Sequence, residues 1–125
     1  MIARTNGVTI FHNPRCSKSR GACELLGEHG VEANVREYLK QPPTRHELED
    51  LMRMLGIDDP RRMVRTGEDA YRELGLAEAD RDELLDAMVA HPILIERPIV
   101  IRGDRAVIAR PPERLLDLLD LLGTA

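Results

Sequence analysis

A single cysteine among basic residues is the part of this sequence with the clearest capacity for chemistry. Cys16 lies in residues 12–20 (HNPRCSKSR), directly after a short apolar run and directly before a helical pattern. Where a strand gives way to a helix, backbone N–H groups and the helix dipole favour a thiolate or a bound oxyanion. The stretch therefore predicts a reactive thiol in an anion-binding loop.

The positive charge of this loop contrasts with the acidic character of the whole chain. The net charge is −4, from 18 Lys and Arg against 22 Asp and Glu, whereas the loop carries His12, Arg15, Lys18 and Arg20. An acidic chain argues against broad binding to nucleic acid or anionic membranes. Two tyrosines, one phenylalanine and no tryptophan leave few rings for base stacking. We expect no nucleic-acid partner and no membrane partner.

Length and composition predict one globular domain that spans residues 1–125. The chain is 42% hydrophobic and 32% charged, which is typical of a soluble protein. It has no apolar run of the roughly 18 residues that a membrane span needs, and no long apolar core of a signal peptide. Two cysteines are too few for a secreted disulfide framework. We expect a cytoplasmic protein whose functional cysteine is catalytic or redox-active.

The elements that must position Cys16 follow from hydrophobic patterning. Residues 8–11 are short and β-branched and predict a buried strand. A helix is predicted over residues 17–29, with Gly30 ending it, and a second strand over residues 33–38. Such a βαβ unit favours a parallel strand pair with a right-handed crossover.

The middle of the chain predicts helices only. A capping box at Thr44 opens a helix to about residue 55, and another at Asp80 opens a helix to about residue 90. Shorter helical turns are predicted after Pro60 and over residues 68–74. The stretch from about 44 to 91 is therefore predicted to be a helical insertion without strands.

The last part of the chain predicts a hairpin and a helix. Residues 97–101 and 106–108 are runs rich in β-branched residues on either side of Gly103-Asp104, a pair that favours a tight turn. Prolines at residues 111–112 then open a final helix with leucines at helical spacing. The order β-α-β, helical insertion, β-β-α predicts an α/β fold with a thioredoxin-like mixed sheet.

Spacing around Cys16 excludes two familiar thiol sites. Ser19 stands where a thioredoxin-type Cys-x-x-Cys motif has its second cysteine, so no disulfide can form there. Arg20 is too close to Cys16 for the Cys-x₅-Arg loop of phosphotyrosine phosphatases. Cys23 lies two helical turns further on and could face the same side as a resolving thiol, although its place beside the apolar stripe favours core packing. His and Cys show no metal-ligand spacing, so neither a metal nor a bound cofactor is expected.

The Cys16 loop resembles the active-site loop of the ArsC-type arsenate reductases that are coupled to glutathione and glutaredoxin. Four further stretches agree with that family in the same order: residues 38–45, 73–76, 91–100 and 110–113. The similarity covers roughly residues 8 to 120. Within the family, the Asn-Pro-Arg-Cys-Ser-Lys-Ser loop is closest to uncharacterised arsenate-reductase-like members.

The resemblance implies that Cys16 is the nucleophile and that three arginines hold the arsenate: Arg65, Arg97 and Arg110. Thiolate formation alone gives a small gain, because the nucleophilicity of a thiolate falls as its pKa falls. Guanidinium groups that stabilise the developing charge supply the larger effect. The hypothesis is a covalent thiolate–arsenate adduct on Cys16, with glutathione as co-substrate and glutaredoxin in the next step toward arsenite release.

The same resemblance assigns the rest of the loop to the substrate. His12 is implied to assist thiolate formation, and Ser17, Ser19 and Arg20 belong to the loop whose N–H groups bind the oxyanion. Pro98 is implied to follow a cis peptide bond and to abut the loop.

Two other functions stay open on the sequence alone. A thiol oxidoreductase with a different substrate is one, because Arg15 is an extra cation in the loop. A non-enzymatic regulator of the Spx type, which binds RNA polymerase, is the other, although such regulators commonly carry a Cys-x-x-Cys switch and Ser19 disfavours it. The three arginines favour an enzyme with an oxyanion substrate over a regulator that only docks on a partner.

Overall fold

A four-stranded mixed sheet forms the part of the fold that carries Cys16. The computed structural model describes residues 7–123, with side chains described through Leu119. Its strands are β1 (Val8–His12), β2 (Asn34–Glu37), β3 (Ile99–Arg102) and β4 (Arg105–Ile108), in the order β2-β1-β3-β4. β1 is parallel to β2 and antiparallel to β3, and β3 is antiparallel to β4. The predicted α/β fold with a thioredoxin-like mixed sheet is confirmed.

Two compact units make up the chain, and each is described by itself. The first contains the sheet and is formed by the segments up to Tyr38 and from Arg97 onward, whereas the second is Leu39–Glu96. The predicted insertion, residues 44–91, lies inside the second unit. None of the helices within residues 7–123 has the length and apolar character that a bilayer span requires.

Helix α1 (Ser17–Glu28) connects β1 to β2 and packs on the sheet together with α5 (Leu116–Gly123). Gly30 has φ 73°, a left-handed conformation that glycine adopts without strain, and α1 ends just before it as predicted. Each fully buried leucine or isoleucine contributes about 1.5–3 kcal/mol to folding. The residues of this core are Val8, Ile10, Ala22, Leu26, Val100, Ala109, Leu115, Leu118 and Leu119.

The segment between β4 and α5 differs from the expected helix start. Pro112–Leu115 forms a 3₁₀ helix, and the α-helix begins only at Leu116. Tight 3₁₀ turns are common at helix starts, where a proline without an N–H group is tolerated. A Cβ on Gly21 would lie 3.3 Å from Cγ of Pro112, so the glycine allows α1 and this turn to approach closely.

Two proline peptide bonds in the first unit are cis. The cis bond between Arg97 and Pro98 confirms the expectation drawn from the family resemblance. A second cis bond joins Arg110 to Pro111, and nothing in the sequence predicted it.

The second unit consists mainly of helices: α2 (Arg45–Leu55), α3 (Asp69–Glu73) and α4 (Arg81–Ala90), with 3₁₀ turns at Pro60–Met63, Leu76–Glu78 and Pro92–Leu94. Both predicted capping boxes form. The Thr44 hydroxyl accepts a hydrogen bond from the backbone N–H of Glu47 at 3.1 Å, and the Asp80 carboxylate accepts one from Glu83 at 2.9 Å.

One backbone pairing in the second unit departs from the all-helical expectation. Val64 and Ile95 form an isolated antiparallel bridge, and the N–H of Arg65 donates to the carbonyl of Leu94 at 2.7 Å. Val64 is 4% exposed and Ile95 is fully buried, so the polar backbone atoms there need protein partners. Sequence patterning missed this bridge because its two sides lie far apart in the chain.

Candidate active site

Cys16 occupies the N-cap position of α1, between β1 and the helix, as the sequence predicted. Its backbone N–H donates to the carbonyl of Asn13 at 2.9 Å, and its own carbonyl accepts from the N–H of Arg20 at 3.0 Å. The residue is 9% exposed. The first N–H groups of a helix have no intrahelical acceptor, so the thiol lies where those donors are available to an anion.

The pKa of the Cys16 thiol lies below the usual range of cysteine. Burial is the largest single effect and raises this pKa, but the backbone N–H groups of Ser19 and Lys18 and the charges of Arg97 and Arg110 together lower it by more. The sulfur makes no cap hydrogen bond of standard geometry, so these N–H groups act on it as nearby dipoles. The site is therefore organised to hold negative charge on the sulfur.

Ser19 organises the loop from inside. Its side chain is fully buried, and its hydroxyl oxygen accepts a hydrogen bond from the backbone N–H of Asn13 at 3.0 Å. The same oxygen lies 2.8 Å from Nδ1 of His12. The guanidinium of Arg20 donates to the carbonyl of Pro14 at 2.9 Å and secures the outer side of the loop. The Ser19 hydroxyl thus shapes the loop, while its backbone N–H acts on the sulfur.

His12 is connected to the thiol through Ser19. Burial lowers the pKa of His12, so its ring is neutral at neutral pH. Nδ1 lies 2.8 Å from the Ser19 hydroxyl and 3.5 Å from the sulfur of Cys23. The structure therefore places the predicted helper of thiolate formation against the residue that supports the loop.

Cys23 and Cys16 are too far apart to form a disulfide in this fold. Seven residues at the helical rise of 1.5 Å separate their Cα atoms by about 10 Å, whereas a disulfide needs a separation below about 7 Å. Cys23 packs against the core, and burial, with a smaller effect from Glu24, raises the pKa of its thiol. A bond between the two cysteines would require the start of α1 to unwind.

Arg97 and Arg110 come from the two ends of the β3-β4 hairpin that lie beside the end of β1. A guanidinium nitrogen of Arg110 donates to the carbonyl of Arg97 at 3.2 Å, and the N–H of Ala109 donates to the carbonyl of Pro98 at 2.9 Å. Both arginines are partly buried, and both charges lower the pKa of Cys16. The hairpin thus brings two of the three predicted arginines to the thiol.

Arg65, the third predicted arginine, lies in the helical unit. Its guanidinium contacts a carboxylate oxygen of Glu68 at 2.6 Å, and the two side chains are 21% and 24% exposed. This ion pair offsets part of the positive charge with which Arg65 was predicted to bind the oxyanion. The assignment of Arg65 to the oxyanion stays a prediction. Ser17 is the exposed first residue of α1, and its role in binding also stays a prediction.

Asn13 is a loop residue for which the sequence predicted no role. Its carbonyl accepts from Cys16, and its side-chain oxygen accepts from the backbone N–H of Arg15 at 3.0 Å. The residue is 7% exposed. An asparagine before a proline at the end of a strand favours this kind of turn, so the signal was present in the sequence.

No group of three or more His, Cys, Asp or Glu side chains within the described part of the chain is arranged to hold a metal ion. The groups that favour the Cys16 thiolate are backbone N–H groups and the charges of two guanidinium groups, and groups of these kinds suit an oxyanion. The expectation that no metal or bound cofactor takes part stays a prediction.

Alkylation of Cys16 by iodoacetamide is expected to reach its plateau at a lower pH than alkylation of Cys23. The pKa of Cys16 is lowered and that of Cys23 is raised, and only the thiolate reacts. Iodoacetamide is uncharged, so its approach does not favour either site electrostatically. Rates for each cysteine, measured by peptide mass spectrometry between about pH 5 and pH 10, test the order, and a midpoint for Cys16 above that for Cys23 would contradict it.

A thioredoxin-like sheet with one low-pKa cysteine before the first helix defines a class of single-thiol proteins. The chain belongs to the ArsC family, whose profile matches residues 11–118. It is 47% identical over 117 residues to the uncharacterized protein YfgD of Escherichia coli K12, covering 92% of this chain and 98% of that one. It is 48% identical over 110 residues to an arsenate reductase of Neisseria meningitidis MC58, covering 86% and 94%. A solved arsenate reductase from Vibrio cholerae superposes with a TM-score of 0.86 at 44% identity, covering 88% and 95%.

Proposed function

We propose that this protein is an arsenate reductase that converts arsenate to arsenite through a covalent adduct on Cys16. The observation that carries the proposal is a thiol of lowered pKa that faces both helix N–H groups and the charges of Arg97 and Arg110. Relatives named arsenate reductase that are 44–48% identical to the chain support the choice of substrate.

In the first step, the Cys16 thiolate attacks arsenic. A sulfur–arsenic bond forms and an arsenic–oxygen bond breaks, and the departing oxygen leaves as water that takes both of its protons from dihydrogen arsenate. Arsenic keeps its +5 state. Arg97 and Arg110 offset the repulsion between the thiolate and the oxyanion, and each well-aimed donor contributes about 3–4 kcal/mol to the transition state.

The second step needs a thiol from outside the chain, because Ser19 replaces a neighbouring cysteine and Cys23 is too distant. We propose glutathione, which bonds to arsenic and displaces a second water. The thiolate of glutaredoxin then attacks the glutathione sulfur. A disulfide forms between glutaredoxin and glutathione while the bond between the glutathione sulfur and arsenic breaks. The two electrons of that broken bond stay on arsenic and reduce it from +5 to +3. Water then cleaves the remaining sulfur–arsenic bond, which releases arsenite and restores the Cys16 thiol.

The test is an assay of NADPH oxidation with the purified chain, arsenate, glutathione, glutaredoxin and glutathione reductase. The expected result is a rate that requires the protein, arsenate, glutathione and glutaredoxin, each omitted in turn. Absence of an arsenate-dependent rate would overturn the proposal. A rate that depends on small disulfides and not on arsenate would assign the chain to thiol oxidoreductases with another substrate.

A further inference from the structure

Two exposed cations beside Cys16 have no role in the steps described above. Arg15 precedes the cysteine directly, and Lys18 is the second residue of α1. Within residues 7–119, neither side chain forms an ion pair or a hydrogen bond. Both backbones are nevertheless fixed, since the N–H of Arg15 donates to the side chain of Asn13 at 3.0 Å and Lys18 is held in the helix.

The first turn of α1 carries only positive side-chain charge although the whole chain is acidic, and the acid beside the loop on the neighbouring strand is Glu37, next to His12. The first turn of α1 contains no acidic residue, and the nearest acid further along that helix is Glu24, about 10 Å beyond its start. The net charge of the chain is −4. A local excess of positive charge on an acidic protein attracts anions to that place in particular.

The arginines that act on the sulfur differ from these exposed cations. Arg97 and Arg110 are partly buried and lower the pKa of the Cys16 thiol. The side chains of Arg15 and Lys18 are exposed to solvent on either side of Cys16 in the sequence. Once arsenate is bonded to Cys16, the partly buried pair is engaged by the oxyanion. A second anion that approaches the same arsenic atom then needs other positive groups to offset the repulsion.

We propose that Arg15 and Lys18 bind the carboxylate groups of the anionic thiol that attacks the Cys16 adduct. This inference rests on the proposed function for its place in the reaction. A small thiol that carries carboxylates, such as glutathione, fits the pair, because a guanidinium holds a carboxylate through two N–H donors and an ammonium holds it as a point charge. The pair therefore selects the co-substrate thiol by its charge.

The test measures one exchange reaction that does not involve arsenate. The Cys16 thiolate attacks one sulfur of a disulfide, a mixed disulfide forms and one thiolate leaves, with no further reactant. Rate constants are compared for glutathione disulfide, which is anionic, and for hydroxyethyl disulfide, which is neutral. The ratio of the two constants cancels any change in the nucleophilicity of Cys16. Mass spectrometry of a Cys16→Ala chain measures how fast Cys23 reacts with each disulfide. This rate is subtracted from the rate of the wild type.

Replacing either cation by glutamine is expected to lower this ratio about threefold, and the double variant about tenfold. Raising the salt concentration lowers the wild-type ratio toward that of the double variant, because the attraction is screened. Arg105→Gln is the matched control. It removes one exposed charge at the turn of the hairpin, beside the start of β1 rather than its end, and is expected to leave the ratio unchanged.

An unchanged ratio in the double variant contradicts the inference, whether or not the protein reduces arsenate. Absence of arsenate turnover in the wild type contradicts the proposed function and leaves the exchange ratio measurable. Where arsenate is turned over, the variants raise the KM for glutathione about threefold each and leave the KM for arsenate unchanged. A raised KM for arsenate alone would assign Arg15 and Lys18 to the oxyanion instead and overturn the inference.

Discussion

Replacing Cys16 by serine is expected to lower arsenate-dependent turnover by a factor of about a thousand or more. A serine hydroxyl is not ionised at neutral pH, and the dipoles and charges that favour a thiolate here cannot make it a comparable nucleophile. The measurement is the rate of NADPH oxidation in the coupled assay, with arsenate at saturation. Residual turnover within tenfold of the wild type would contradict a covalent adduct on this residue.

The same substitution is expected to leave folding intact or to improve it. Position 16 is the N-cap of α1, and serine is among the best N-cap residues, whose side chains typically contribute about 1 kcal/mol. Thermal unfolding of Cys16→Ser therefore separates loss of chemistry from loss of structure. Cys23→Ser is the control for a general thiol effect, and it is expected to keep turnover within a few-fold of the wild type, because Cys23 is too distant to act as a resolving thiol.

Replacing Arg97 or Arg110 by lysine is expected to lower kcat/KM for arsenate about a hundredfold. Lysine keeps the positive charge but loses the planar pair of donors that matches an oxyanion, and one lost donor of this kind typically costs a factor of about 10²–10³. Arg110 also loses its hydrogen bond to the carbonyl of Arg97. The measurement is steady-state kinetics with arsenate as the varied substrate.

The lysine variants also distinguish two ways in which these arginines act. If charge alone matters, the pKa of Cys16 and kcat/KM both stay near the wild-type values, and the proposed role of the guanidinium geometry is wrong. If geometry matters, the pH midpoint of Cys16 alkylation stays low while turnover falls. Arg114→Lys is the control for an exposed arginine in the same segment, and we expect it to change neither quantity.

Local signals in the sequence were sufficient to predict how the thiol is positioned. The short apolar run of β1, the glycine after α1 and the serine at position 19 each act over a few residues, so the strand, the helix and the single-thiol character follow without tertiary information. The hairpin turn follows from Gly103 for the same reason. The cis bond before Pro98 needed the family resemblance, because most such bonds are trans.

Contacts that depend on side-chain placement could not be predicted from the sequence. The pairing of Arg65 with Glu68 is compatible with spacing but depends on which rotamers the two side chains adopt. The bridge between Val64 and Ile95 joins residues 31 positions apart in the chain, which no local pattern reports. The contact of His12 with Ser19 depends on the turn at Asn13, which brings the start of α1 back to the end of β1.

The hydrogen bonds of the Cys16 loop determine which of its positions can change without disturbing the loop backbone. The side chains of Asn13 and Ser19 are buried and hydrogen-bond to the backbone of the loop. The side chains of Arg15 and Lys18 are exposed and form none of these hydrogen bonds. If these two side chains bind the attacking thiol as proposed, substitutions at positions 15 and 18 change which thiol reacts and leave the hydrogen bonds of the loop in place. The same loop could then accept different thiol donors according to the charge at these two positions.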